Sequence, residues 1–240
     1  MKGVILAAGS GKRLSSHNAW RPKLLLPVAG RAIIDYTLEA FCRVGITDLT
    51  IVIGYQGDVL KGWVGDGSQQ GLRIQYVYNP DYQLGNALSL YAARSLMENE
   101  PFLLSMADHM ISPTLLARLL GIQESANALA VDFTSSSSQI EEATRVLVSD
   151  DGLVTQIGKE LFPWNGIDAG VFRLTPVIFE AISDIVGEKR TEYELSRAIT
   201  RMIDRGHPLL ACDISGCFWQ DIDTREDLNL VRKTLTGTGL

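Results

Sequence analysis

Three segments of the chain, residues 3–8 (GVILAA), 48–54 (DLTIVIG) and 101–107 (PFLLSMA), are largely continuous apolar runs without a solvated alternate face. That is the pattern of strands buried on both sides of a parallel sheet. Between them the apolar positions change period: Ile34, Leu38 and Phe41, and later Ala87, Leu88, Tyr91, Ala92 and Leu96, recur at spacings of three and four, as on one face of a helix. Strand and helix alternating in this way predict an α/β fold, a doubly wound and mostly parallel sheet of Rossmann-like type.

From about residue 127 the rhythm shifts to strand-like pieces at 127–133, 143–149, 152–158 and 166–174, read as a smaller β insertion. Val146-Leu147-Val148, the Asp150-Asp151-Gly152 turn and Leu153-Val154 predict a hairpin. Ser135–Ser138 reads as an exposed loop. Helices are expected near 176–185 and 191–204, a strand at 208–213, and a last helix opening at Thr224, where Thr224-x-x-Asp227 has the form of a capping box, and running to about Leu235. No repeat or linker divides the chain, so a single domain over 1–240 is expected.

Composition narrows the function. A formal charge of −6 over 240 residues argues against a surface that coats nucleic acid, so a bound polyanion must be met by a local group of cations. Cys42, Cys212 and Cys217 lack the paired spacing of a zinc site and read as reduced thiols, which suits a cytoplasmic location. No segment is long enough to cross a bilayer, and the apolar residues 4–8 are too few for a signal peptide. Homo-oligomerisation is left open.

Gly9-Ser10-Gly11-Lys12-Arg13-Leu14 follows the first strand directly, at the sheet end where α/β folds bind ligands. Leu14 stands where a dinucleotide fingerprint needs its third glycine, and the glycine spacing before Lys12 is not that of a Walker loop. What remains is a turn whose backbone N–H groups can wrap phosphate oxygens, with two cations beside it. A plain glycine turn with solvated cations accounts equally well for the loop alone. Arg21-Pro22-Lys23, held before Leu24-Leu25-Leu26-Pro27, adds a fixed lysine able to neutralise charge on a transferred phosphorus.

LAAGSGKRL at 6–14 together with RPKLLLPV at 21–28 resembles the signature of the sugar-phosphate nucleotidyltransferase superfamily, whose fold is the nucleotide-diphospho-sugar transferase type. The resemblance implies nucleotide binding by Leu6, Ala7, Ala8, Gly9, Ser10, Gly11, Lys12, Arg13 and Lys23, with Arg13 and Lys23 catalytic. Gly85, in Leu84-Gly85-Asn86-Ala87, falls where the family sets a glycine against nucleobase and ribose, although a glycine opening a helix explains it locally. Asp108 resembles the family's metal aspartate, and Asp221 or Asp223 in Trp219-Gln220-Asp221-Ile222-Asp223-Thr224 the second metal carboxylate, with Mg²⁺ as the implied cofactor. As a strand, that segment would turn Asp221 and Asp223 to one face, while Asp223 has the alternative of capping the last helix. For His109 an orienting or packing role is expected.

LLSMADHMIS at 103–112, EEATRVLVSDDGLVTQIGKEL at 141–161, GIDAGVFRL at 166–174 and CFWQDIDTREDL at 217–228 look most like the CTP:inositol-1-phosphate cytidylyltransferases within that superfamily. The implied acceptor residues are Lys159 for the phosphate, Asp168 and Gly170 for the polyol, and Glu194 for hydroxyls. On this reading about 1–125 binds the nucleotide, and about 126–240 the acceptor and the second metal carboxylate. The implied partners are CTP or another nucleoside triphosphate and a small phosphorylated polyol or sugar. Two alternatives stand beside it: a sugar-1-phosphate or phosphocholine nucleotidyltransferase using UTP, dTTP, GTP or CTP, and a silent nucleotide-binding regulator. A choline site would need an aromatic cage, for which Phe162, Trp164 and Phe172 are the candidates.

Overall fold

The computed structural model describes residues 1–11, 14, 21–97, 100–123, 125–134, 143–188 and 191–238, with side chains as far as residue 235. Lys12, Arg13 and the serine run at 135–138 lie outside the described residues. In chain order the elements to residue 120 are β1 (Lys2–Ala7), β2 (Pro27–Val28), β3 (Arg31–Ala32), α1 (Ile33–Arg43), β4 (Asp48–Ile53), α2 (Gly57–Val64), β5 (Arg73–Tyr78), α3 (Asn86–Ala92), α4 (Arg94–Met97), β6 (Phe102–Met106), β7 (His109–Ile111) and α5 (Pro113–Leu120). Then follow β8 (Asn127–Asp132), β9 (Arg145–Val148), β10 (Val154–Gly158), β11 (Gly166–Leu174), α6 (Val177–Gly187), α7 (Leu195–Asp204), β12 (Leu209–Asp213), β13 (Trp219–Asp221) and α8 (Arg225–Thr238).

The apolar runs became the centre of one nine-stranded sheet, where β5, β4, β1 and β6 lie side by side and parallel. β11 joins antiparallel to β6, with β8 and then β12 beyond it. Among the described strands of this sheet, β10 and β11 run against the others, so it is mixed and mostly parallel, as the sequence pattern predicts. Alternate residues of each central strand feed opposite faces. Ile5, Ile51 and Leu103 pack under α1, α2, α5 and α8, while Val4, Val52 and Leu104 pack under α3, α6 and α7. Each such fully buried aliphatic side chain contributes about 1.5–3 kcal/mol. Helices on both faces make the sheet doubly wound.

The predicted hairpin is β9 and β10, antiparallel across the Asp-Gly turn. It hangs on β11, which changes neighbour midway: Gly166 and Ile167 pair with β9, whereas Val171–Leu174 pair with β6. The change falls at a register shift between Asp168 and Phe172, where Gly170 has φ +70°. A bulge of this kind bends a strand and re-aims its side chains. Here it carries Asp168 past the end of β6.

Several elements depart from the expected pattern. The helix expected through Ala87–Leu96 breaks at Ala93 into α3 and α4. β5 was not expected; as an edge strand it mixes polar and aromatic residues and lacks a buried face. β7 and β13 form a separate two-stranded ribbon, and β13 ends at Asp221. Asp223 therefore lies beyond the strand, and the expectation that the two aspartates share a strand face is corrected. Among the described residues no helix is long and apolar enough to cross a membrane.

Candidate functional site

β1 and β6 end side by side, and their chain continuations diverge into a cleft of about 780 Å³ that joins a smaller hollow of about 370 Å³. Leu6, Ala8, Gly9, Gly85, Asp108, Lys159, Asp168, Gly170, Glu194, Asp221 and Asp223 line the larger. Ala7, Ser10, Gly11 and Lys23 line the smaller, with Asp108 and Asp223 shared between them. Every described residue expected at the site therefore meets one trough, drawn from loops far apart in sequence. Lys12 and Arg13 are outside the described residues.

Lys23 stands at the junction. Pro22 and the single turn of 3-10 helix at Lys23–Leu25 bury its stem, and Gly11 packs directly against it. Only 6% of the side chain is exposed. Its ammonium donates to Asp108 Oδ2 at 2.8 Å and to Asp223 Oδ1 at 2.6 Å. Burial alone would lower the lysine pKa, but Asp108, Asp221 and Asp223 outweigh it and hold the group charged well above the usual lysine range. The fixed cation expected from Arg21-Pro22-Lys23 is thus realised through its carboxylate partners.

Asp108 sits at the corner between β6 and β7. The Ala107 N–H donates to the Leu6 carbonyl and the Ile222 N–H to the Asp108 carbonyl, tying that corner to β1 and to the segment after β13. Asp108 Oδ1 lies 3.1 Å from His109 Nδ1. Burial would raise the Asp108 pKa, yet Lys23 and His109 pull it well below the carboxylate range. His109 is itself pressed into place: its ring stacks parallel to Trp219, the Trp219 indole N–H donates to buried Asp132, and a β-carbon on Gly170 would lie 2.7 Å from the ring. Burial opposes its charge, but Asp221, Asp108 and Asp168 push the His109 pKa up to about 9. Of the orienting or packing role expected of His109, the packing is what these contacts show.

Asp221 pairs across the ribbon with His109, and among the described residues its buried Oδ1 has no hydrogen-bond partner, lying 3.9 Å from His109 Nδ1. Burial lifts its pKa to about 6. One ligating atom from each of Asp108, His109 and Asp221 falls within 4.8 Å of the others. An orphaned carboxylate oxygen facing a second carboxylate is what a cation site needs, because leaving it unmet costs its full desolvation. Asp223 is differently placed. It grips Lys23, and the cap of α8 belongs to Thr224 and Asp227, whose side chains and N–H groups exchange the bonds of a capping box.

Among the residues expected to meet an acceptor, Asp168 Oδ1 accepts the Gly170 N–H at 2.7 Å, and burial lifts the Asp168 pKa to about 6. The aromatic cage is not assembled: Phe172 is in the core, Phe162 is 86% exposed, and none of Phe162, Trp164 and Phe172 lines the cleft. Tyr82, Gln83, Asn86, Thr144, Glu192 and Trp219 also line it and were not read from the sequence. Their signal is weak because each is an ordinary loop or core residue type in local context. Tyr82 owes its place to Gly54, whose missing side chain leaves room for the Tyr82 ring beside the Ala8 carbonyl.

The larger cleft gathers Asp108, Asp168, Glu192, Glu194, Asp221, Asp223, Glu226 and Asp227 against Lys159 and His109. A bound cation beside Lys23 and Lys159 would offset part of this negative charge. A model of the family described as nucleotidyl transferase matches residues 2–237. The bifunctional IPC transferase and DIPP synthase of Rubrobacter xylanophilus is 34% identical over 236 residues, 98% of this chain and 52% of that protein. A glucose-1-phosphate thymidylyltransferase of Streptomyces griseus is 29% identical over 247 residues, 99% of this chain and 67% of that protein. The solved structure of the inositol-1-phosphate CTP transferase from T. maritima is 26% identical, with a TM-score of 0.84, and the match covers 98% of this chain and 96% of that one. The chain spans about half the length of the bifunctional relatives it matches. With a family model matched from residue 2 to residue 237, and a glycine-rich turn, Lys23 and carboxylates converging at the sheet end, the chain belongs to the nucleotidyl transferase family of enzymes.

Proposed function

We propose that the chain transfers a cytidylyl group from CTP to inositol 1-phosphate, giving CDP-inositol and pyrophosphate, with Mg²⁺ as cofactor. The observation that carries this reading is Lys23 bridging Asp108 and Asp223 at the junction of two hollows, with the unmet oxygen of Asp221 beside it. The likeness to the inositol-1-phosphate CTP transferase structure supports the choice of substrates. About 1–125 would hold the nucleotide and about 126–240 the acceptor.

The backbone of Gly9–Gly11 wraps the triphosphate, with Lys12 and Arg13 adding charge. A phosphate oxygen of the acceptor attacks the α-phosphorus in line, the bond to the β-phosphate oxygen breaks, and pyrophosphate leaves. The acceptor phosphate is already a nucleophile, so positioning and charge neutralisation are the main requirements. Lys23 meets the charge on the attacked phosphorus, Lys159 meets the acceptor phosphate, and Asp168, Gly170 and Glu194 take the polyol. Asp108 and Asp221 would hold Mg²⁺, which when bound would supply positive charge to offset that of the phosphates. His109 orients Asp108, and Asp223 anchors Lys23.

Pyrophosphate release measured over CTP, UTP, GTP and dTTP, each with inositol 1-phosphate, glucose 1-phosphate and phosphocholine, tests the substrates. CTP with inositol 1-phosphate should give the highest kcat/KM. A preference for a sugar 1-phosphate with UTP or dTTP would move the chain to the sugar branch, and no turnover with any pair would leave a silent binding protein.

A further inference from the structure

Asn86 is the first residue of α3, yet its side-chain oxygen accepts the backbone N–H of Leu195, the first residue of α7, at 2.7 Å. The first N–H groups of a helix have no acceptor within it. Glu194, at the N-cap position of α7, makes no side-chain capping bond, so Asn86 supplies the cap across 109 residues of sequence. Two backbone bonds flank it: Tyr193 N–H to the Leu84 carbonyl at 2.6 Å and Ala87 N–H to the Tyr193 carbonyl at 3.0 Å. Between them Gly85 holds φ +119°, and a β-carbon there would run into the Tyr193 carbonyl oxygen. Tyr193 itself is buried in the core beside α3 and α6.

This seam has a position that gives it consequence. Gln83, Gly85 and Asn86 line the cleft from the loop assigned to the nucleotide, and Glu192 and Glu194 line it from the segment assigned to the acceptor. Glu194 is the residue immediately before the capped N–H, where loss of the cap acts first.

Resting on the nucleotidyl-transfer reading of the cleft, we propose that Asn86 is a positioning residue for the acceptor. It fixes Glu194 by capping α7, and together with the Tyr193 pairing it sets the acceptor carboxylates from the nucleotide loop.

The test compares wild type, Asn86→Ala and Asn86→Asp, the last keeping an accepting oxygen. Hydrogen exchange of the substrate-free enzyme should show the first turn of α7 exchanging about fivefold faster in the alanine variant, with Asn86→Asp restoring protection. With Mg²⁺, CTP and inositol 1-phosphate, Asn86→Ala should raise the acceptor KM about fivefold while the CTP KM stays within about twofold; Asn86→Asp should return the acceptor KM, its added charge acting on CTP instead. A rise in the CTP KM alone would make Asn86 only a nucleotide contact and overturn the proposal. Unchanged exchange, or faster exchange spread across the whole sheet with both KM values rising together, would overturn it as well. If wild type prefers another nucleotide and acceptor, the comparison runs on that pair, so the substrate assignment can fail while this inference stands; no turnover with any pair sinks both.

Discussion

A lysine ammonium removed from water is costly unless anions meet it, and Lys23 has two within hydrogen-bond reach. Asp223 serves that lysine, whereas Asp221 offers a buried oxygen that accepts no hydrogen bond among the described residues. The two aspartates should therefore fail differently. Asp221→Ala should raise the Mg²⁺ concentration needed for half-maximal activity by about tenfold or more. Asp223→Ala should lower kcat by about tenfold to a hundredfold with the Mg²⁺ dependence little changed. Titrating both variants with Mg²⁺ checks this, and the reverse pattern would exchange the roles. Asp168 gives a pH test. Its folded pKa of about 6 exceeds the ordinary carboxylate value, so its ionisation costs stability that is absent below about pH 4 and fully felt above pH 6. Asp168→Asn, which keeps an oxygen for the Gly170 N–H, should raise Tm at pH 8 by about 2–5 °C and leave it unchanged near pH 4. A lower Tm at pH 8 would mean that the charge is better compensated than its burial implies.

At the scale of elements, α8 starts where Asp223 must be held, so its cap matters to the site as well as to the helix. Thr224→Ala should cost about 1 kcal/mol in urea unfolding, because the Thr224 hydroxyl accepts the Asp227 N–H and donates to the Asp227 carboxylate. An unchanged urea midpoint would show that the helix is held by its packing alone. This box was legible in the sequence, as were β1, β4 and β6, whose apolar runs have no solvated face. β5 was not, because an edge strand reading RIQYVY has no continuous apolar run. β7 and β13 are three residues each, too short for a period to register, and that is why the separation of Asp221 from Asp223 was missed. Arg173 was equally hidden: an arginine in the apolar stretch of β11 gave no local hint that it is 1% exposed and donates to the Ile122 carbonyl beyond the end of α5. The seam at Asn86 needed the fold, since neither segment predicts the other.

For the whole molecule, a net charge of −6 and a cleft crowded with carboxylates pose a problem for the two phosphorylated substrates proposed above. Among the described lining residues, Lys23 and Lys159 face eight carboxylates, a balance that a bound divalent cation would ease. The family's reaction class was readable from the loop and lysine motifs, whereas the proposed acceptor rests on Lys159, Asp168, Gly170 and Glu194, which only the fold brings to one cleft. The most direct test follows a label on the α-phosphorus of CTP during a reaction with inositol 1-phosphate and Mg²⁺. The label should appear in CDP-inositol with unlabelled pyrophosphate released, chelation of the metal should stop it, and Lys23→Ala should slow it by about a hundredfold or more. Label found in CDP with free phosphate released, or undiminished transfer in Lys23→Ala, would contradict nucleotidyl transfer at this site.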